Sequence, residues 1–201
     1  LALVKHGQSF KTMAITINGN GTITGYEPVA NGSITAAKLA SGAISASTLP
    51  AGSIVQTVTQ KVEGGSMTNV TGSSTFTGLY AEITPQLSNS KILVLANLRV
   101  YISGGGLDTG AAFTLQRKIG SGSYSTIESS ADTVGNTQFY IYNPTSGSEL
   151  SATHTDIAVD TPGTNSQVVR YQVFCSAQSG GTINLTSSTG NHYLTLMEIK
   201  Q

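Results

Sequence analysis

A ten-residue repeat near the beginning of the chain constrains its fold more than any other feature. Glycine recurs at positions 32, 42 and 52, and a large apolar residue occupies every fifth position. These apolar residues are Val29, Ile34, Leu39, Ile44, Leu49 and Ile54. A spacing of five matches neither the period of a helix, about 3.6 residues, nor that of a strand, about 2 residues. We therefore predict short extended pieces that alternate with single helical turns.

The repeat presents a stripe of apolar side chains that one chain cannot bury by itself. Repeat units bury such a stripe only against neighbours, and the small Ala, Ser and Gly residues between the apolar positions let other chains approach closely. We interpret residues 29–52 as an oligomeric stem in which parallel copies share an axis. A flexible Ala/Ser/Gly linker and an arm laid over a partner are the alternatives, but strict spacing is unusual in a linker.

The segment before the repeat predicts a short β-hairpin. Alternating Ile and Thr flank a doubled Asn-Gly at positions 18–21, and Asn-Gly tolerates the positive φ that tight hairpin turns require. A single hairpin is marginal in water, so we expect it to pack on something outside itself.

From residue 53 onward the sequence predicts strand after strand, separated by turns rich in Gly, Ser, Asn and Pro. In residues 91–102 every second residue is apolar, and Leu93 and Leu95 add apolar side chains to the other face, which is typical of a central strand. A second set of residues shares one face of a later strand: Val169, Tyr171, Val173 and Cys175. We predict an all-β chain whose residues 53–201 form an antiparallel, jelly-roll-like β-sandwich.

Three finer predictions concern which way the strands face. Ile54, Val58 and Val62 fall on one face of the first strand of the sandwich. In residues 154–159 the alternation of Thr155, Ile157 and Val159 predicts an inner face, and places His154 and Asp156 on the outer face. The last strand, residues 192–200, is apolar on both sides, so we expect it inside a sheet.

Composition excludes several partners. Only 10% of the residues are charged and the formal net charge is zero, whereas a nucleic-acid-binding protein has a basic surplus. No run of about 18 apolar residues is present, so we expect no membrane insertion. One cysteine cannot form a disulfide framework.

The residues that most often carry chemistry are scattered. His6, His154 and His192 lie far apart in sequence, and His154 with Asp156 is at most half of a metal site, so a solvated polar face is the simpler interpretation. Cys175 shares an apolar face and is predicted to be a buried, inert thiol. We predict a protein that is not an enzyme, with no catalytic residues, no metal and no cofactor.

A ligand-binding surface would most plausibly involve loops. The predicted loops are 103–110, 143–149 and 176–181, and the candidate contact residues in or beside them are Asp108, Tyr140 and Tyr142. Strand tyrosines are more often half-buried packing residues than ligand-stacking ones.

Several segments resemble tail-fibre-like virion proteins of marine and cyanobacterial phages. The hairpin with its doubled Asn-Gly and the repeat unit Gly-Ser-Ile-Thr-Ala-Ala-Lys-Leu are similar to the N-terminal and shaft sequences of those proteins. The similar segments are 15–25, 32–44, 53–58, 81–94 and 194–199. The resemblance implies a trimer on the surface of a phage particle, with an attachment segment (residues 1–28), a stem (29–52) and a knob (53–201).

The resemblance carries no catalytic residues, but it implies which residues attach the protein to the particle: Ile15, Ile17, Asn18, Gly19 and Ile23. Its implied partners are tail, portal or capsid proteins of the virion and a glycan or protein on the host surface. Three functions stay open. They are a tail-fibre-type protein whose knob meets the host, a capsid decoration or cement protein, and a carbohydrate-binding or enzymatic module.

Overall fold

The computed structural model describes residues 16–17, 23–24, 44–63, 69–71, 75–103, 109–127, 139–143, 149–178, 181–185 and 190–201. The chain divides into two units, residues 1–43 and residues 44–201, which we describe separately. In the first unit, strands β1 (Thr16–Ile17) and β2 (Ile23–Thr24) pair antiparallel. The predicted hairpin is thereby confirmed in its backbone pairing. The stem positions Val29, Ile34 and Leu39 lie outside the described residues, as do Ile15, Asn18 and Gly19.

The second unit consists of strands joined by turns. The described strands are β3 (Ile54–Glu63), β4 (Thr75–Ile83), β5 (Lys91–Ser103), β6 (Thr109–Ile119), β7 (Ser125–Thr126), β8 (Phe139–Asn143), β9 (Leu150–Asp160), β10 (Val169–Gln178), β11 (Thr182–Asn184) and β12 (Asn191–Ile199). A short 3-10 helix, Ala46–Thr48, precedes β3. Among the described residues no helix is long and apolar enough to cross a membrane.

The strands form two antiparallel sheets. Sheet I has the order β3-β12-β5-β9, and β11 pairs with the end of β5. Sheet II has the order β4-β10-β6, and β7 and β8 both pair with β6. If the short strands β7 and β11 are left out, the second unit has eight described strands, which can be counted one to eight from β3 to β12. Sheet I then contains strands one, eight, three and six in that order, and sheet II contains strands two, seven, four and five. This is the strand order of a jelly roll, so the predicted fold class is confirmed.

One hydrophobic core lies between the sheets. The predicted inner face of β5 is confirmed, since all six of its residues are at most 1% exposed: Ile92, Val94, Ala96, Leu98, Val100 and Ile102. Strand β5 is central because it pairs with β12 on one edge and β9 on the other. The predicted inner face of β10 is also buried, and β12 lies between β3 and β5 as expected.

The face predicted for β9 is wrong. His154 is fully buried and its ring stacks on Phe113 with 4.5 Å between ring centroids. Asp156 shares this inner face, whereas Ile157 and Val159 are 57% and 53% exposed on the outer face. The pairing of β9 with β5 decides which face of β9 is buried, because His154 lies opposite the core residue Leu98. If this register shifted by one residue, every side chain of β9 would move to the other face of the sheet.

Asp160, at the end of the same inner face, shows what stabilises this register. Its carboxylate accepts hydrogen bonds of 2.7 Å from Arg117 of β6 and from the Tyr171 hydroxyl of β10. The side chain of Asp160 is only 10% exposed, and it is paired with Arg117 and hydrogen-bonded to Tyr171, as polar groups shielded from water require. The three side chains link sheet I to sheet II.

The buried imidazole of His154 predicts acid sensitivity. Burial lowers its pKa from 6.5 to about 4, so between these values the unfolded chain binds a proton that the folded chain does not. The free energy of unfolding therefore falls as the pH drops from 6.5 to 4, by about 3 kcal/mol from this group. His154→Leu should flatten that part of the profile, measured by urea unfolding between pH 8 and pH 4.

The difference between the two proteins at pH 8, where the histidine is neutral in both states, gives the effect of packing alone and serves as the control. Stability profiles that run parallel from pH 8 to pH 4 would show that His154 is not the group responsible.

Candidate interaction surface

The side of sheet I that faces away from the core carries apolar residues on neighbouring strands. Residues paired across antiparallel strands project to the same face, so the register defines rows across the sheet. Two central rows run from β3 through β12 and β5 to β9: Thr59, Thr195, Leu95 and Ile157, and then Thr57, Met197, Leu93 and Val159. We call these eight residues the outer patch.

The outer patch has no charged side chain. Two of its three threonines, Thr59 and Thr195, form a hydrogen bond with 3.0 Å between their hydroxyl oxygens. Ile157 and Val159 are its exposed apolar members, while Leu93, Leu95 and Met197 are half-buried by their neighbours. The free face of an antiparallel sandwich is normally polar, so this apolar surface calls for an explanation.

Ile54 belongs to the same outer face, contrary to the prediction that it shares a face with Val58 and Val62. A register shift between β3 and β12 places Ile54 opposite Ile199, while Val58 and Val62 pack against the core. The extra residue of a bulge reverses the alternation beyond it. Ile54 is consequently 57% exposed beside the outer patch.

The described end of the predicted stem is bonded to the end of sheet I, and we call residues 44–53 with Lys200 the stem junction. The Lys200 ammonium donates to the carbonyl oxygens of Ser47, at 2.7 Å, and Leu49. The backbone N–H of Lys200 donates to the carbonyl oxygen of Ser53 at 3.0 Å, and the backbone carbonyl of Lys200 accepts from the N–H of Gly52 at 2.8 Å. Within the stem junction, the side chain of Leu49 is half-buried.

Glu198 orders the adjacent loop between β4 and β5. Its buried carboxylate accepts hydrogen bonds from the backbone N–H groups of Gln86 and Leu87, at 2.9 and 3.0 Å, and from Gln56, at 2.7 Å. Burial alone would raise the pKa of Glu198, but hydrogen bonds from Gln86, Gln56, Ser90 and Leu87 outweigh it and lower the pKa. The carboxylate therefore stays ionised and fixes this end of the sandwich.

The predicted binding loops flank the opposite end of the sandwich, which we call the far end. There Ser103 pairs with Thr182, Thr109 with Asn143, and Gln178 with Gly110. These residues end or begin the strands on either side of loops 103–110, 143–149 and 176–181. The strand ends that border the three loops therefore lie together at one end of the sandwich, away from the stem junction.

Of the three candidate contact residues, Asp108 lies outside the described part of the chain. Tyr140 and Tyr142 lie on β8 at an edge of sheet II, paired with Ala112 and Gly110. Their role in binding stays a prediction.

The other candidate groups have structural partners. Cys175 is buried, as predicted, and burial raises the pKa of its thiol to about 12. His192 Nδ1 accepts from the Arg99 N–H at 3.3 Å and Nε2 donates to the Leu185 carbonyl at 3.1 Å, which fixes a neutral tautomer. Among the described residues, no group of three or more His, Cys, Asp or Glu side chains could hold a metal ion.

The sequence prediction missed the outer patch as a surface, and it missed Glu198 and Lys200. A signal for the patch was present, because β5 and β12 are apolar on both faces, but it was attributed to central position alone. The partners of Glu198 and Lys200 lie more than a hundred residues away in sequence, so no local pattern marks them.

No protein-family profile matches the chain, and no curated protein matches it. Two solved structures that match part of the chain are that of infectious bursal disease virus, Gx strain, at 12% identity and a TM-score of 0.32, and that of the VP2 subviral particle of infectious bursal disease virus, at 13% identity and a TM-score of 0.23. Each match covers 74% of this chain but only 38% and 39% of the other. The chain thus spans less than two fifths of those proteins, and likeness at this level says nothing about its function.

Proposed function

We propose that this protein is a structural component of a bacteriophage particle, a trimeric protein of the tail-fibre type. Residues 1–28 attach it to tail, portal or capsid proteins, residues 29–52 form the stem, and the sandwich is a knob that contacts a glycan or protein on the host surface. The proposal requires no catalytic residue, metal or cofactor.

The observation that supports this proposal is that the two ends of the sandwich differ. The stem enters at the end of sheet I that Lys200 ties down, while the loops suited to ligand contact flank the far end. A knob held by a stem needs its attachment and its contact loops at opposite ends. The exposed apolar side chain of Ile44, 61% exposed in the single chain, fits a stem that is completed by other copies.

Mass and copy number test the proposal. We expect light scattering of the purified full chain to give three times the chain mass of 20.7 kDa, and quantified gels of the particles that carry it to give roughly tens of copies, as expected for symmetric trimers at tail sites. A monodisperse monomer would contradict the stem. A trimer present in hundreds of copies would instead identify a capsid decoration protein.

A further inference from the structure

The two outer faces of the sandwich differ in chemistry. On sheet II, Glu82, Arg170 and Lys118 form one row across β4, β10 and β6. Arg170 pairs with Glu82 at 3.8 Å, and its guanidinium lies 3.7 Å from the centre of the Tyr80 ring. The same face carries the aromatic side chains of Phe76, Tyr80 and Phe174, so sheet II presents a mixture of charged and aromatic groups to its surroundings.

Sheet I has no such row at its centre. Its charged residues lie beyond the outer patch, with Lys91 beside Ile199 at the junction end, and Arg99, Lys61 and Glu63 toward the far end, the last two 3.6 Å apart. Ile157 and Val159 each expose more than half of their surface on this uncharged face. Contact between such an apolar surface and water is unfavourable in free energy.

The neighbouring stem indicates what covers this face. Ile54 is both the last member of the five-residue stripe and a residue of the outer face, opposite Ile199. Ile54, the last position of the stripe, therefore lies next to the outer patch, one row from Met197 and Thr57. Copies that surround the stem must approach sheet I where the stem meets it, and the uncharged patch opposes no approach of an identical face.

We propose that the outer patch of sheet I is the surface through which copies of this chain contact one another in the knob, as a continuation of the stem interface. This inference rests on the proposed trimer. It places sheet I toward the shared axis and leaves sheet II and the loops of the far end for other partners.

Cysteine labelling of two matched variants tests the contact in the full-length protein. Val159→Cys lies in the outer patch and Val168→Cys lies outside it, and the two valines are 53% and 46% exposed in the single chain. The native Cys175 is buried with a raised pKa, so it gives little background. In the trimer we expect a maleimide to react at least about tenfold more slowly with Val159→Cys.

A substitution by lysine measures the same contact energetically. Val159→Lys should weaken trimer formation by about 10- to 100-fold in concentration, because the contact would bury an unpaired charge. Val168→Lys is its control and should leave the concentration dependence unchanged. Analytical ultracentrifugation of both variants measures the protein concentration at which each one forms trimers.

The outcomes separate this inference from the proposed trimer. A wild-type chain that is monomeric at all concentrations contradicts the proposed function itself. A stable trimer in which Val159→Cys reacts as fast as Val168→Cys overturns the patch contact alone. Protection of Val159→Cys that persists after dilution to the monomer would show that the chain covers its own patch, which also overturns contact between copies.

Discussion

A chain that lacks residues 194–201 should fail to fold. These residues include most of β12, which pairs with β3 on one edge and β5 on the other. Their removal exposes the inner faces of both neighbours and deletes the fully buried Leu194 and Leu196, each worth about 1.5–3 kcal/mol. It also removes Glu198 and two ladders of hydrogen bonds, about 1 kcal/mol per bond. The sum is comparable to the whole 5–15 kcal/mol that typically stabilises a domain, before the exposed inner faces of β3 and β5 are counted.

Circular dichroism and thermal unfolding measure this loss. We expect no cooperative transition and a large fraction of aggregated protein. Removal of the exposed Gln201 alone is the control and should leave the melting temperature within about 2 °C of the wild type. A cooperative melt near the wild-type temperature in the chain without residues 194–201 would mean that β12 is dispensable.

The double variant Ile34→Asp/Ile44→Asp should convert the trimer to a monomer while the sandwich stays folded. Two members of the stripe become charged, and each of the three copies would bring both charges to the shared axis. Like charges in a partly buried contact repel one another and lose water. Light scattering should show one third of the wild-type mass, with the unfolding transition of the sandwich still present.

The matched control is Thr35→Asp/Ser45→Asp, which adds the same charges at the same ten-residue spacing but outside the stripe. Ser45 is exposed, and Asp is accepted as the first residue before a helical turn. Retention of the trimer by this control, with its loss in the stripe variant, supports the stem. Equal masses for the two variants would show that the stripe is not the interface.

The fold could be predicted because its strongest signals are local. Strand β5 has an apolar residue at every second position for more than ten residues, and this fixes its inner face without knowledge of its neighbours. The same holds for β10. Since β12 is apolar on both sides, its place within a sheet also followed from its own residues.

Strand β9 shows where local patterns fail. Its own residues favour Ile157 and Val159 for the core, but the face is decided by pairing with β5 and by the contact of Asp160 with Arg117 and Tyr171. These are contacts between distant parts of the chain. Ile54 was misplaced for a related reason, because the bulge that reorients it depends on the register with β12. These two errors hid the exposed side chains of Ile157 and Val159 in the outer patch and of Ile54 beside it.

The attachment of the stem beside β3 has a mechanical consequence. A force applied through the preceding part of the chain reaches the sandwich at the stem junction and then at the start of β3, which follows the junction directly in sequence. A component of this force along β3 would load the ladder between β3 and β12 in shear, so that its hydrogen bonds share the force instead of opening one after another. Lys200 adds an anchor ahead of the ladder. Resistance to force depends on the barrier to unfolding, and the hydrogen bonds from Lys200 to Ser47 and Leu49 must break before such a force separates the junction from the sheet.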